Sequence, residues 1–199
     1  MVAARERDDA ARAAWGEALS HEPAERLVVL DETSTNTALL TRSARAPRGQ
    51  RAAAQAPRNH APNVSLIAAL SLRGPAPALV VQGPVTIEVF VAYLEQLFVP
   101  WLAPGQLVIL DTLSVHTDAR VRQQIEAAGC DLRYLPAYSP AFSPIAAAFA
   151  TLTTCLRRVG ARTHDELVTA IGDGRARITQ RAAAGCFRGC GYRVERQPL

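Results

Sequence analysis

The sequence predicts a single α/β domain, and three observations carry that prediction. Short runs rich in valine and leucine recur, at residues 26–31 and 106–111, and they are too short to be helices. Elsewhere apolar residues repeat at helical spacing, as Val89, Phe90, Tyr93, Leu94, Leu97 and Phe98 do. A chain of 199 residues is long enough for one sizeable core and too short for two comfortable ones.

Taken in order, residues 5–19 place alanines, Trp15 and Leu19 among charges in a helical rhythm, so a leader helix is expected within residues 1–25, closed by a break around Pro23. Residues 26–31 follow as a buried strand with Asp31 at its carboxyl end. Residues 47–50, Pro-Arg-Gly-Gln, mark a turn between two strands inside the stretch 41–57. With further strands at 64–72 and 78–82, three antiparallel strands are expected after the first. Residues 86–98 predict a helix that packs on the sheet. Residues 106–111 repeat the earlier strand pattern and again end in aspartate. A helix at 118–128 closed by Gly129, a strand at 131–135 and a proline-rich loop at 136–144 come next. Helices at 145 to about 159 and 163 to about 181 complete the domain, with no internal repeat and no separate linker.

Hydrophobic residues make up 49% of the chain and charged ones 20%, the balance of a soluble globular protein rather than a disordered one. No apolar run approaches the roughly 20 residues of a membrane-spanning helix, and the N-terminus has no signal-peptide stretch, so a cytoplasmic protein with no membrane partner is expected. The four cysteines include no C-x-x-C pair, which points to reduced thiols rather than a disulfide framework or a zinc site. The net charge is +4, and every basic side chain other than histidine is arginine. Arginine forks bind phosphate well, although wholesale loss of lysine beside abundant Ala, Gly and Pro also fits a GC-rich coding sequence. Distribution is more telling. No acid occurs between Thr33 and Ile87, where Arg42, Arg45, Arg48, Arg51, Arg58 and Arg73 fall. That strip is either a phosphate-binding surface or a solvated basic hairpin.

Two strands that each end in aspartate, Asp31 and Asp111, are the main chemical clue, because neighbouring strands of an α/β sheet bring their ends into one crevice. Two carboxylates there can share divalent cations, which favour hard oxygen ligands and assist phosphodiester cleavage. The competing reading is that strand-terminal aspartates only cap the turns that follow them.

The wider string of motifs separates these readings. Leu30-Asp31-Glu32-Thr33, the arginine- and glycine-rich residues 46–51, Leu110-Asp111 followed by His116, then Leu135-Pro136-Ala137-Tyr138-Ser139-Pro140 and Ser143-Pro144-Ile145 resemble the mariner-like DDE transposase superfamily, in family order. The likeness is greatest to its bacterial insertion-sequence 630 branch and runs from about Arg26 to the C-terminus, through Phe187 and Gly191-Tyr192. It implies a ribonuclease H-like fold over 26–199, a mixed sheet flanked by helices. It also implies an Asp, Asp, Glu triad that binds Mg2+ or Mn2+ and cuts and joins DNA at transposon ends. By motif Asp31 is the first acid and Asp111 the second. Glu32 also matches the pattern, but a neighbouring strand residue points to the other face and is not counted as a ligand.

The third acid is missing. The family places it with thirty-four residues between it and the second aspartate, a position held here by Ala146, and no acid occurs from Leu132 to His164 to replace it. Thr112, Ala141 and Ser143 also stand where the family has Asn, Asp and Asn. Loss of one anionic ligand is expected to cost roughly 10²-fold or more in rate. His116 reads more readily as a turn or packing residue than as a general base. The Tyr138-Ser139-Pro140 loop either touches DNA or only sets the entry to the helix after it. Arg157 and Arg158 are assigned to DNA phosphates over a solvated helix face.

Three functions compete. The leading one is a catalytically impaired transposase domain. The others are an active nuclease, using two acids or completed by a partner chain, and a non-enzymatic DNA-binding or dimerising protein. The resemblance implies DNA and a homodimer as partners, and since it begins near Arg26, helix-turn-helix modules are expected on a separate chain.

Overall fold

Leu27–Thr35, strand β1, is the strand on which the rest is laid out. Its Val28 and Leu30 pack into one apolar cluster and its Leu27 and Val29 into another, so helices must cover both faces. The computed structural model, which describes residues 8–41, 43–53, 55, 57 and 62–194, meets that demand with a five-stranded mixed sheet between two helical layers.

The sheet is completed by β2 (Val64–Ser71), β3 (Gly74–Gln82), β4 (Leu107–Leu110) and β5 (Asp131–Tyr134), in the spatial order β3-β2-β1-β4-β5. The first three strands are antiparallel neighbours, whereas β4 and β5 join parallel to β1. Strand β2 is buried along its whole length. At the amino edge of the parallel strands Arg26 acts as a tie: Nε donates to the Gly105 carbonyl at 2.8 Å, while its other nitrogens reach Glu22 and Asp131.

One helical layer holds α2 (Ile87–Tyr93) and α3 (Ala119–Ala127), packed on the face that presents Val28, Leu30, Val108 and Leu110. The other holds α4 (Pro144–Val159), α5 (His164–Ala176) and α6 (Gln180–Gly189), with α1 (Asp9–Ser20) joining through Trp15 and Leu19. Local chemistry sets the helix ends. Asp8 caps α1, Thr86 caps α2, and Thr163 with Glu166 forms a reciprocal capping box on α5. Gly160 closes α4 at φ +64, where a side chain would strain.

Four expectations need correction. Asp31 is not the last residue of its strand, because β1 runs on through Thr35 as the partner of β2. No strand occurs among the described residues between β1 and β2. The turn at 47–50 is present, closed by Gln50 N–H donating to the Pro47 carbonyl, but its flanks lack the alternating apolar residues that hold a strand to a sheet. The helix expected at 86–98 is regular only to Tyr93. It widens to a π-turn over Leu94–Phe98 and tightens over Val99–Trp101, where Pro100 cannot donate to the helix ladder. The last expected helix is two, since Thr179 caps a new start and the segment before it lies beside Gly74 at the head of β3.

Two glycines of α5 separate packing from propensity. A Cβ on Gly174 would sit 2.5 Å from the buried Leu152 Cδ1, whereas one on the exposed Gly172 would meet nothing within 4 Å. Gly174→Val is expected to lower unfolding free energy by about 1–3 kcal/mol, and Gly172→Ala to raise it by about 0.5–1 kcal/mol. Urea denaturation of the two variants measures both.

Candidate active site

The parallel register of β1 and β4 pairs Val29 with Ile109. Continued by two residues, it sets Asp31 beside Asp111, the residue directly after β4. Asp31 follows Leu27 and Val29 in the alternation of β1 and so belongs to the face covered by α4, while Glu32 follows Val28 and Leu30 to the opposite face. The alternation expected for Glu32 therefore holds, yet the residue still enters the site. Its Oε2 accepts from His116 Nε2 at 2.7 Å, and His116 Nδ1 donates to Asp111 Oδ1 in a short hydrogen bond.

His116 is 0% exposed and lies against the Phe90 ring, with centroids 4.8 Å apart. Its carbonyl accepts from the Tyr134 hydroxyl at 2.9 Å, which ties the loop after β4 to β5. Burial by itself would depress the imidazole pKa, but the hydrogen bonds to Asp111 and Glu32 outweigh it and carry the ring up to about 9. Burial likewise pushes Asp111 up, and the hydrogen bonds from His116 and the Leu113 N–H bring it below the usual carboxylate range. Among the described residues Asp31 has no such cationic partner in hydrogen-bond contact. Burial drives it up to about 7, with Asp111 and Glu32 adding repulsion, even though the Glu32 N–H donates to its Oδ1. The crevice therefore concentrates three carboxylates and supplies one buried imidazolium to balance them.

Hard carboxylate oxygens in excess of local positive charge suit Mg2+ or Mn2+. Asp31 Oδ1 and Asp111 Oδ1 are engaged by hydrogen bonds, and among the described residues neither Oδ2 accepts one. No three His, Cys, Asp or Glu side chains among the described residues are grouped to hold a metal ion together. Ala146 occupies the first turn of α4, on the Asp31 side of the sheet, and is half-buried with only a methyl to present. The loop that delivers it leaves β5 beside Asp111, through the Leu135 N–H donating to the Leu110 carbonyl at 2.7 Å. Within that loop Tyr138 is 59% exposed and adopts φ +53, a strained conformation for a bulky side chain.

The arginines expected at DNA are spread out. Arg45, Arg48 and Arg51 are exposed on an irregular strap, and Arg42 lies outside the described residues. Arg157 and Arg158 sit in the last turn of α4, about 16 Å along the helix axis from Ala146, where they also complement the negative helix end. Sequence reasoning passed over Arg162. From the loop between α4 and α5 it donates to the Thr37 and Leu39 carbonyls at 2.8 and 3.2 Å and to the Gln55 carbonyl at 3.3 Å, pinning both ends of the strap. An arginine two residues after a helix-closing glycine was the available signal.

A five-stranded mixed sheet in the order β3-β2-β1-β4-β5 between two helical layers, with acids on β1 and just after β4, is the ribonuclease H-like class of fold. The chain belongs to the DDE superfamily endonuclease family, whose profile matches residues 26–168. Among solved structures it is similar to the Mos1 strand transfer complex, with a TM-score of 0.75 and 18% identity over 94% of this chain and 57% of that one. The Mos1 mariner paired end complex with Mn matches at a TM-score of 0.72 and 17% identity over 94% and 58%. The catalytic domain of Mos1 mariner transposase matches at 0.60 and 13% over 91% and 83%. At these identities the likeness is one of fold, that of a transposase catalytic domain. The chain spans just under three fifths of the length of the first two. No curated protein sequence matches it. No helix among the described residues is long and apolar enough to cross a membrane.

Arg162→Ala is expected to release the strap. Amide hydrogen exchange should rise across the described residues of 37–57 while the sheet retains its protection. Unchanged exchange in the strap would show that the arginine does not hold it.

Proposed function

We propose that this chain is a DDE transposase catalytic domain, spanning 26–199 behind a leader segment at 1–25, whose metal-dependent cutting and joining of DNA is impaired by Ala146. The observation that carries the reading is the placing of Asp31 beside Asp111 with a methyl group where a third acid is expected. Asp31 and Asp111 would hold Mg2+ or Mn2+ through their uncommitted Oδ2 atoms. The cation, when bound, supplies charge neutralisation at a phosphodiester and activation of the attacking hydroxyl. The protein's own part is to fix the two carboxylates and exclude competing ligands. Alanine provides neither charge nor an oxygen donor, so the cation is held by one anion fewer. The metals named with the Mos1 structures support this choice of cation.

DNA as the partner is supported by the family, by the paired-end complexes that share the fold, and by the exposed strap bearing Arg45, Arg48 and Arg51. Arg42 is assigned to the same surface from its place in the sequence, and Arg157 and Arg158 to more distant phosphates. Membership of the insertion-sequence 630 branch, a homodimer and a cytoplasmic location complete the reading.

Nicking of supercoiled plasmid DNA with Mn2+ tests the catalytic part. The wild type is expected to be slow and Ala146→Glu faster by about 10²-fold or more, with Asp111→Asn abolishing the gain. Vigorous nicking by the wild type that survives Asp31→Asn would refute the reading. For the strap, replacing Arg45, Arg48 and Arg51 with Ala should weaken duplex binding and lower the slope of log affinity against log salt by about 3. An unchanged slope removes the strap from the DNA surface.

A further inference from the structure

We propose that Glu32 and His116 are positioning residues that lock the two metal-binding aspartates to each other, an inference that rests on the function proposed above. Glu32 touches both. Its backbone N–H donates to Asp31 Oδ1 at 2.7 Å, and its carboxylate accepts from His116 Nε2, whose other ring nitrogen donates to Asp111 Oδ1. Asp31, Glu32, His116 and Asp111 thus form one continuous hydrogen-bonded path between the two acids.

Asp111 needs such a brace because it lies just beyond the last residue of β4. A side chain at the start of a loop is free to sample several rotamers unless something holds it. The Leu113 N–H and the imidazole both take Oδ1, which leaves Oδ2 turned free of the loop. The imidazole is itself immobile. It is fully buried, packed on Phe90, and its backbone is held by the Leu113 carbonyl and the Tyr134 hydroxyl. Glu32, in turn, is set by the ladder of β1, where it pairs with Ile67. The brace therefore runs from a strand residue held in the β1–β2 ladder to an acid at the start of a loop. Carboxylate–histidine pairs behind metal ligands act in this way, and losing one typically costs 10–100-fold in metal affinity.

The test is Mn2+ titration of the full chain, followed by the electron paramagnetic resonance of free Mn2+, beside thermal unfolding in chelator. Glu32→Ala is expected to weaken Mn2+ binding 10–100-fold, while Glu32→Gln, whose amide oxygen still accepts from Nε2–H, recovers most of the affinity. His116→Gln should weaken binding too, and the Glu32→Ala, His116→Gln double variant should be no worse than the weaker single one. In the metal-free protein, two solvent-protected His116 ring N–H resonances are expected in the wild type, and the Nδ1–H resonance should broaden in Glu32→Ala. If His116→Gln fails to fold, the two Glu32 variants still decide the matter. Equal losses in Glu32→Ala and Glu32→Gln would mean that the glutamate acts by charge alone and would overturn the positioning role. Unchanged affinity in Glu32→Ala, with affinity lost in Asp111→Asn, would overturn it and leave the metal reading standing. Affinity indifferent to Asp111→Asn would remove the metal reading and this inference together.

Discussion

The parallel pairing of β1 with β4 is the constraint on which the site depends. Three residue pairs, from Leu27 with Leu107 to Val29 with Ile109, hold the two strands in a register that sets Asp31 against Asp111. Moving that register by one residue would turn every side chain of one strand to the opposite layer, and both apolar clusters oppose it. The burial that stabilises the sheet is therefore also what aligns the acids.

Bringing acids together in a buried crevice has an electrostatic cost, and the fold meets part of it with His116. The ring is hydrogen-bonded to Asp111 and Glu32 but not to Asp31, whose pKa stays well above the usual carboxylate range. In a site with all of its ligands a cation would balance the rest. On the function proposed above, position 146 in the first turn of α4 would carry a further acid, and alanine stands there instead. Pro144 at the head of α4, the buried Ser143 and the positive-φ Tyr138 lead the chain into that helix. They act on backbone geometry and are indifferent to whether position 146 carries a carboxylate.

Residues in the 41–57 strap show where pattern reading fails. Pro47 and Gly49 signalled a turn correctly, because a turn is decided by a few adjacent residues. The flanking strands did not follow, because a strand exists only if a neighbour offers it a ladder, and the strap is tied to the body by Arg162 instead. Asp31 was misjudged for the opposite reason. Asp-Glu-Thr-Ser-Thr has the composition of a turn, yet β2 supplies partners through Thr35 and keeps it extended. His116 was read as a turn or packing residue and Glu32 was set aside because alternation turns it to the other face, and only their meeting across 84 positions makes them a pair.

What the sequence determined alone is what local chemistry decides: the apolar strand cores, the capped helix starts, the identities of the two aspartates, and the alanine at position 146. What the tertiary structure decided is which residues meet, namely the register that joins Asp31 to Asp111, the Glu32–His116 link between them, the fate of the arginine strap and the division of the last helix in two. The physical reason is that propensity and capping act within a few residues, whereas pairing and burial act between segments whose distance along the chain no local pattern records.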